Sequence, residues 1–224
     1  MDITNFNWGK SSEWFKKTIT KEIFVEKIYE RFFSVEENDV VLDVGASIGP
    51  FTYSILNKKP KRVYCFEPSM DEFPILLDNT KDGKVTCINK GISNIDGKTE
   101  FSLIFGEVNQ SGVANSTTFK SFVEEYNINK IDFLKTDCEG GEYDIFNNEN
   151  FFWIKQNVKK IVGEWHLDTP QTNEKFRVFR DTYLRLFPNI DVYSVDGTGI
   201  KWSLWNEGFL EYYKHILIYI DNRD

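Results

Sequence analysis

The run Val40-Val41-Leu42-Asp43-Val44-Gly45-Ala46-Ser47-Ile48-Gly49 constrains this chain more than any other stretch. Val40 to Val44 is apolar apart from Asp43, which suits a strand of a parallel sheet covered on both faces. Gly45, Ala46 and Gly49 then make a small-residue turn into a helix, with a backbone that a bulky group can approach closely. Ligands of open α/β sheets bind at this carboxyl edge, and Asp43 is placed to offer a carboxylate there. The fold class that follows is α/β: a mostly parallel sheet between two layers of helices.

A tight strand-to-helix connection is the plainer reading of such a turn, and further residues narrow it. Glycines at 45 and 49 fit neither the dinucleotide fingerprint nor the phosphate loop. A second strand, Arg62 to Phe66, ends at Glu67, about where a Rossmann-like sheet places its ribose-binding acid. Pro68 behind it keeps Glu67 out of the α region and so fixes where the carboxylate points. Asp43 would repel a pyrophosphate and attract a sulfonium. These features favour S-adenosylmethionine as cofactor, with an NAD-dependent oxidoreductase the more remote alternative.

At 224 residues the chain is long enough for one α/β domain over 1–224, with an N-terminal segment to residue 35, a cofactor-binding core over 36–166 and closing elements over 167–224. A net charge of −8 argues against nucleic acid as partner, because phosphate-backbone binding draws on Lys and Arg. The high aromatic content, 16%, reads as core packing. Cys65, Cys87 and Cys138 make neither a metal-ligand spacing nor an even disulfide set, so three free thiols and a cytoplasmic setting are expected. There is no signal-like apolar region at the N-terminus and no membrane span, and the glycosylation triplets at Asn109 and Asn115 are read as chance.

Along the chain, Ile19, Ile23, Phe24, Ile28 and Phe32 form one apolar stripe, which predicts a single helix from Ser11 able to roof the cofactor pocket. Helices are predicted at 51–56, 74–79, 119–126, 142–146 and 176–187, and strands at 85–88, 131–137, 161–166, 190–195 and 215–220. The Asp96-Gly97 turn before the β-rich run 99–105 predicts a hairpin-like insertion after the third strand. Residues 106–118, rich in Ser, Asn and Gly, read as loop.

A second constellation, Asp137-Cys138-Glu139-Gly140-Gly141-Glu142, follows the fourth strand. Glu142 can serve as the N-terminal acid of its helix. An idle Asp137 at the end of a buried strand would be costly, which points to function. Lys135 shares its strand face and can neutralise one of these acids. His166 ends the fifth strand, two residues after Glu164; nothing singles out His215.

Together these segments resemble the FkbM family of S-adenosylmethionine-dependent methyltransferases, within the class I Rossmann-like group. The resemblance rests on Val41 to Gly49, Phe66-Glu67-Pro68, Ile131 to Glu142 and Gly163 to His166, with Ser47 standing where the family turn carries Asn. It implies a seven-stranded sheet with the last strand antiparallel, and methyl transfer to a hydroxyl of a sugar or natural-product-like molecule. It places the methionine moiety on Gly45 to Gly49, including Ala46 and Ser47, the ribose on Glu67, and the adenine beside Asn89, Gly91 and Ile92. Asp137 and His166 are then the candidate bases, with Glu139 and Lys135 orienting substrate or tuning the base, and Asp137 also bordering the cofactor. His166 suits the role through its reference pKa near 6.5. A divalent metal ion held by Asp137, Glu164 and His166 stays open as an alternative, as does a domain that binds the cofactor without turnover.

Overall fold

In the computed structural model, which describes residues 3–105, 108–206 and 208–223, the chain enters through a short helix, Glu13–Ile19 (α1), capped by Ser12, whose side chain accepts the Phe15 N–H at 3.1 Å. The predicted single N-terminal helix is not formed. A π-helical turn, Thr20–Val25, follows α1, and Lys27, at φ 50°, breaks the ladder before a 3₁₀ turn, Ile28–Glu30. The break rotates the stripe: Ile23 and Ile28 are buried, while Phe32 is 44% exposed. Ile23, Ile28 and Tyr29 of the broken segment pack in the layer that also holds Val41, Phe51 and Phe133.

The remaining elements are β1 (Val40–Val44), α2 (Pro50–Ile55), β2 (Arg62–Phe66), α3 (Phe73–Asn79), β3 (Val85–Ile88), β4 (Gly91–Ile92), β5 (Gly97–Phe105), β6 (Val108–Thr117), α4 (Phe119–Glu125), β7 (Ile131–Thr136), α5 (Glu142–Ile145), α6 (Phe151–Asn157), β8 (Val158–His166), α7 (Pro170–Val178), β9 (Asn189–Ser194), α8 (Phe209–Tyr212) and β10 (His215–Asp221). Seven strands form the main sheet in the order β3-β2-β1-β7-β8-β10-β9. All neighbours are parallel except that β10 runs antiparallel to both β8 and β9. The order reverses between β1 and β7, the switch point where such sheets bind ligands.

The hairpin-like insertion is present as a separate three-stranded sheet, with β5 antiparallel to β6 and β4 parallel to it. Residues 108–117, expected as loop, are strand; their Ser and Asn are tolerated because the backbone pairing with β5 runs its whole length. Residues 106 and 107 lie outside the described residues. α7 starts at Pro170, six residues before the expected helix, because Thr169 and Thr172 make a reciprocal capping box.

Two apolar layers sandwich the sheet. Leu42, Val44, Phe66, Phe122, Trp165 and Phe179 belong to one, and Val41, Phe51, Val63, Phe133 and Tyr219 to the other. All three cysteines are free. No helix is long and apolar enough to cross a membrane, among the described residues.

Candidate active site

The turn after β1 is held by the neighbouring strand ends. Gly45 and Ala46 N–H groups donate to the Phe66 carbonyl at 3.1 and 2.9 Å, and Asp137 N–H donates to the Val44 carbonyl at 3.0 Å. Gly45, at φ 74°, has a reason to be glycine beyond cofactor access: a Cβ there would sit 1.7 Å from the Asp137 carbonyl oxygen. Gly49 lies away from the cleft, where a Cβ would crowd Leu76 Cδ1 at 2.8 Å.

Asp43 does not face a ligand. It is fully buried, and its Oδ2 accepts the Thr52 hydroxyl at 2.8 Å while Oδ1 lies 3.2 Å from Lys135 Nζ. The cause is register: Asp43 and Lys135 are paired positions on β1 and β7, so both side chains enter the same layer. Lys135 also donates to the Gly45 carbonyl at 2.7 Å. Burial works against its charge, but Asp43 and then Asp137 outweigh it and hold the ammonium above its usual range. Lys135 is thus a fixed cation that ties the turn to β7.

Along the carboxyl edge runs a cleft with about 1130 Å³ of space, open mouth included. Gly45, Ala46, Ser47, Glu67, Pro68, Gly91 and Ile92 line one part, and Lys135, Asp137, Glu139 and Glu164 the other. Asn89 stands behind the wall and donates to the Glu67 carbonyl at 2.9 Å. Glu67 accepts the Ser47 N–H at 2.8 Å on Oε2 and the Ser69 N–H at 2.7 Å on Oε1. Each oxygen retains acceptor capacity toward the cleft. Burial pushes its carboxyl up to about 7 against those two hydrogen bonds.

At the far end, His166 gathers three carboxylates. Its Nδ1 lies 3.0 Å from Glu142 Oε1, and its Nε2 lies 3.2 Å from Glu139 Oε2 and 4.0 Å from Asp137 Oδ1. Burial opposes a charge on the ring, but Glu142, then Glu139 and Asp137, outweigh it and hold the imidazole well above its usual pKa. The neutral base anticipated from a reference pKa near 6.5 instead sits behind the cleft wall, 3% exposed, where these carboxylates favour its protonated form. Glu139, in a left-handed conformation (φ 55°), does line the cleft. Burial, only partly offset by His166, pushes its carboxyl up to about 7.

Beyond the apolar stripe that carried Ile19 and Ile23, several residues here have no sequence signal. Tyr29 donates its hydroxyl to Asp137 Oδ2 at 2.7 Å across 108 positions. Phe15, Ile19, Glu22 and Ile23 join it in lining the cleft, so the broken N-terminal segment does form a roof. His215 holds Glu164 Oε1 at 3.0 Å, and its ring lies 4.9 Å from that of His166.

Residues 43–194 match the family described as Methyltransferase FkbM domain. The protein belongs to that family. Around this FkbM methyltransferase stand more distant relatives. Ribosomal RNA small subunit methyltransferase A of Pelagibacter ubique (strain HTCC1062) is 31% identical over 87 residues, 38% of this chain. The chain spans about a third (33%) of that relative's length. Among solved structures, precorrin-6y C5,15-methyltransferase from Geobacter metallireducens GS-15 is similar at a TM-score of 0.51 with 11% identity, covering 95% of this chain and 93% of that one. A chain of a fibrillarin/Nop5p complex is similar at 0.52 with 15% identity, covering 87% and 77%. These two share the fold.

The cleft of the FkbM methyltransferase fits S-adenosylmethionine on its own chemistry: a buried carboxylate with free acceptor capacity at Glu67, a small-residue turn beside it, and acidic surroundings for a cationic ligand. Glu67→Ala should weaken S-adenosylmethionine binding by about 1–3 kcal/mol, through the lost charged hydrogen bonds. Unchanged affinity by calorimetry, in a variant with native circular dichroism, would take Glu67 out of the cofactor site.

The raised carboxylates also fix a pH dependence. Burial pushes Glu22, Glu67 and Glu139 up to about 7 and Glu72 to about 8. The folded chain thus binds more protons than the unfolded chain between about pH 4.5 and 8, so stability falls as pH rises through that window. Glu67 alone contributes on the order of 3 kcal/mol. The depressed surface aspartates, such as Asp78 and Asp181, act below the window. The ligand-free Tm should drop from pH 5 to pH 8; a flat or rising profile would contradict the burial of these groups.

Proposed function

We propose that the protein transfers the methyl group of S-adenosylmethionine to a hydroxyl oxygen of a small molecule, a saccharide or natural-product-like scaffold, received at the Asp137–Glu139 end of the cleft. The observation that carries this is Glu139, a cleft-lining carboxylate pushed up to about 7. Oxygen is a poor nucleophile until its proton is removed, and a base works best with a pKa near the operating pH. When bound, S-adenosylmethionine supplies a methyl already activated by its sulfonium.

The chain's own residues do the rest. Glu67 takes the ribose hydroxyls, the turn at Gly45, Ala46 and Ser47 the methionine moiety, and Gly91 with Ile92 the adenine. Tyr29, kept protonated by burial and by Asp137, fixes the Asp137 carboxylate. His166 holds Glu139 and Asp137 in place, and the N-terminal roof excludes water. Orientation of this kind supplies much of the rate enhancement in well-aligned reactions.

The ribosomal RNA methyltransferase among the relatives acts on RNA by name, but the electrostatics here favour a small acceptor. Among the described residues, Glu22, Glu67, Glu72, Asp137, Glu139 and Glu164 line the cleft against one lysine or arginine, Lys135, which is paired with Asp43. A phosphate backbone would meet net repulsion at −8 overall. Incubation with methyl-labelled S-adenosylmethionine and, separately, saccharide and metabolite pools or ribosomal RNA checks this. Label in a methyl ether of a small molecule is expected. Label in RNA would overturn the acceptor class, and cofactor binding without transfer to any pool would favour a binding domain.

A further inference from the structure

We propose that Asp137, Glu139 and His166 form a binding site for one divalent first-row cation, such as Mn²⁺ or Zn²⁺, at the acceptor end of the cleft. The role of the ion rests on the methyl-acceptor reading above; its binding does not.

The three side chains can each offer one ligand atom, all within 4.8 Å of one another. His166 Nε2 lies 3.2 Å from Glu139 Oε2 and 4.0 Å from Asp137 Oδ1. Ligands at right angles around an ion with bonds near 2.1 Å are about 3.0 Å apart, so Glu139 and His166 already stand at that spacing, while Asp137 would have to close on them by about 1 Å or more. A second, independent observation is the support behind the imidazole. Glu142 is fully buried, and its Oε1 sits 3.0 Å from His166 Nδ1 while accepting the Cys138 and Gly140 N–H groups at 2.9 and 3.3 Å. A buried carboxylate on the far nitrogen is how metal-binding histidines are commonly oriented. Here it aims Nε2 at two carboxylates. Its Oε2 has no hydrogen-bond partner, so Glu142 serves no other polar group through that oxygen.

His166 itself is the group that answers these carboxylates, and Lys135 is engaged with Asp43 and the Gly45 carbonyl, so an entering ion would take over the role of the imidazole proton. Asp137 and Glu139 line the cleft, so the remaining coordination positions would open toward the acceptor. Two carboxylates with one imidazole suit Mn²⁺ or Zn²⁺ better than the all-oxygen preference of Mg²⁺ or Ca²⁺. His166 would release its Nε2 proton as the ion enters. A bound ion would then acidify the acceptor hydroxyl and, with Glu139 engaged as a ligand, shift the role of proton acceptor from Glu139 to Glu164 on the same wall. A competing group, Glu164, His166 and His215, is less suited: His215 Nδ1 is already bonded to Glu164.

The test is titration of the metal-stripped full chain with Mn²⁺ alone, without S-adenosylmethionine, followed by the free-ion electron paramagnetic resonance signal and repeated calorimetrically with Zn²⁺. One ion per chain is expected. Asp137→Asn and His166→Gln should each weaken binding about tenfold or more, and Glu142→Gln, which removes only the support, about 10–100-fold. His215→Gln should bind as the wild type does. Absence of one-to-one binding of either ion to the wild type overturns the proposal, as does undiminished affinity in Asp137→Asn or lost affinity in His215→Gln. Glu139→Gln, at a partly exposed position, replaces any variant whose thermal melt shows it unfolded. Calorimetry with S-adenosylmethionine on the stripped protein separates the readings: cofactor binding without ion binding sinks this site and leaves methyl transfer standing, and the reverse sinks methyl transfer alone.

Discussion

Lys135→Met should destabilise the protein by about 3–5 kcal/mol, the largest loss expected from any single side-chain exchange at the site. The cost comes from what the substitution leaves behind. Asp43 is 0% exposed, and without Lys135 the Thr52 hydroxyl is the side-chain partner left to it among the described residues. A charge so deep has no water to turn to. The Gly45 carbonyl, which accepts from Lys135 at 2.7 Å, loses its donor in the same step. Removing both charges is the informative control. Asp43→Asn with Lys135→Met should recover most of the loss, because a buried pair contributes little net stability over a neutral replacement. Urea unfolding of the two singles and the double measures the coupling. A loss below about 1 kcal/mol in Lys135→Met would mean that Asp43 does not depend on this pair.

Glu139→Gln should lower turnover on the order of 10²–10⁴-fold while leaving S-adenosylmethionine affinity within a few-fold of wild type. The amide keeps the shape of the carboxylate but can neither accept the hydroxyl proton nor hold a cation strongly. Glu139 sits at the acceptor end, on the loop after β7, whereas Glu67 follows β2 on the other side of β1. Separate effects on kcat and cofactor binding are therefore expected. Equal loss of both would place Glu139 among the cofactor contacts, and full activity would move the proton transfer to Asp137 or Glu164.

How far the sequence could be read depended on where each signal lies. Strand β1, its turn, and Glu67 before Pro68 are local patterns, and the structure places them as local patterns imply. The seven-stranded sheet with an antiparallel β10 followed from the resemblance. Asp43 misled because an acid at a strand end looks the same whether it faces a ligand or a partner strand; only the register with Lys135 decides, and register is a long-range fact. The N-terminal stripe had helical spacing, yet the left-handed Lys27 carries no residue signature. Tyr29 on Asp137, and His215 on Glu164, join positions 108 and 51 apart, and no periodicity reports such pairs. His166 ends its strand as expected, but Glu142, Glu139 and Asp137 together push its pKa upward, which its strand alone does not reveal.

β10 lies between β8 and β9 although it follows both in the chain. β8 is already held by β7 on its other edge, but β9 joins the sheet only through the return of residues 215–221, since β8 and β9 share no hydrogen bonds. Such distant pairings form late, after the closure entropy of the intervening loops has been met. The two halves of the site therefore mature at different times. The turn at Gly45 and the Glu67 wall come from strands that adjoin in both sequence and space, β1 to β3. Glu164 and His166 instead sit on an open strand edge until Leu217 and His215 dock opposite them. A growing chain would be able to hold the cofactor before it had anything to do with it, and the capacity to act would arrive with the insertion of one strand.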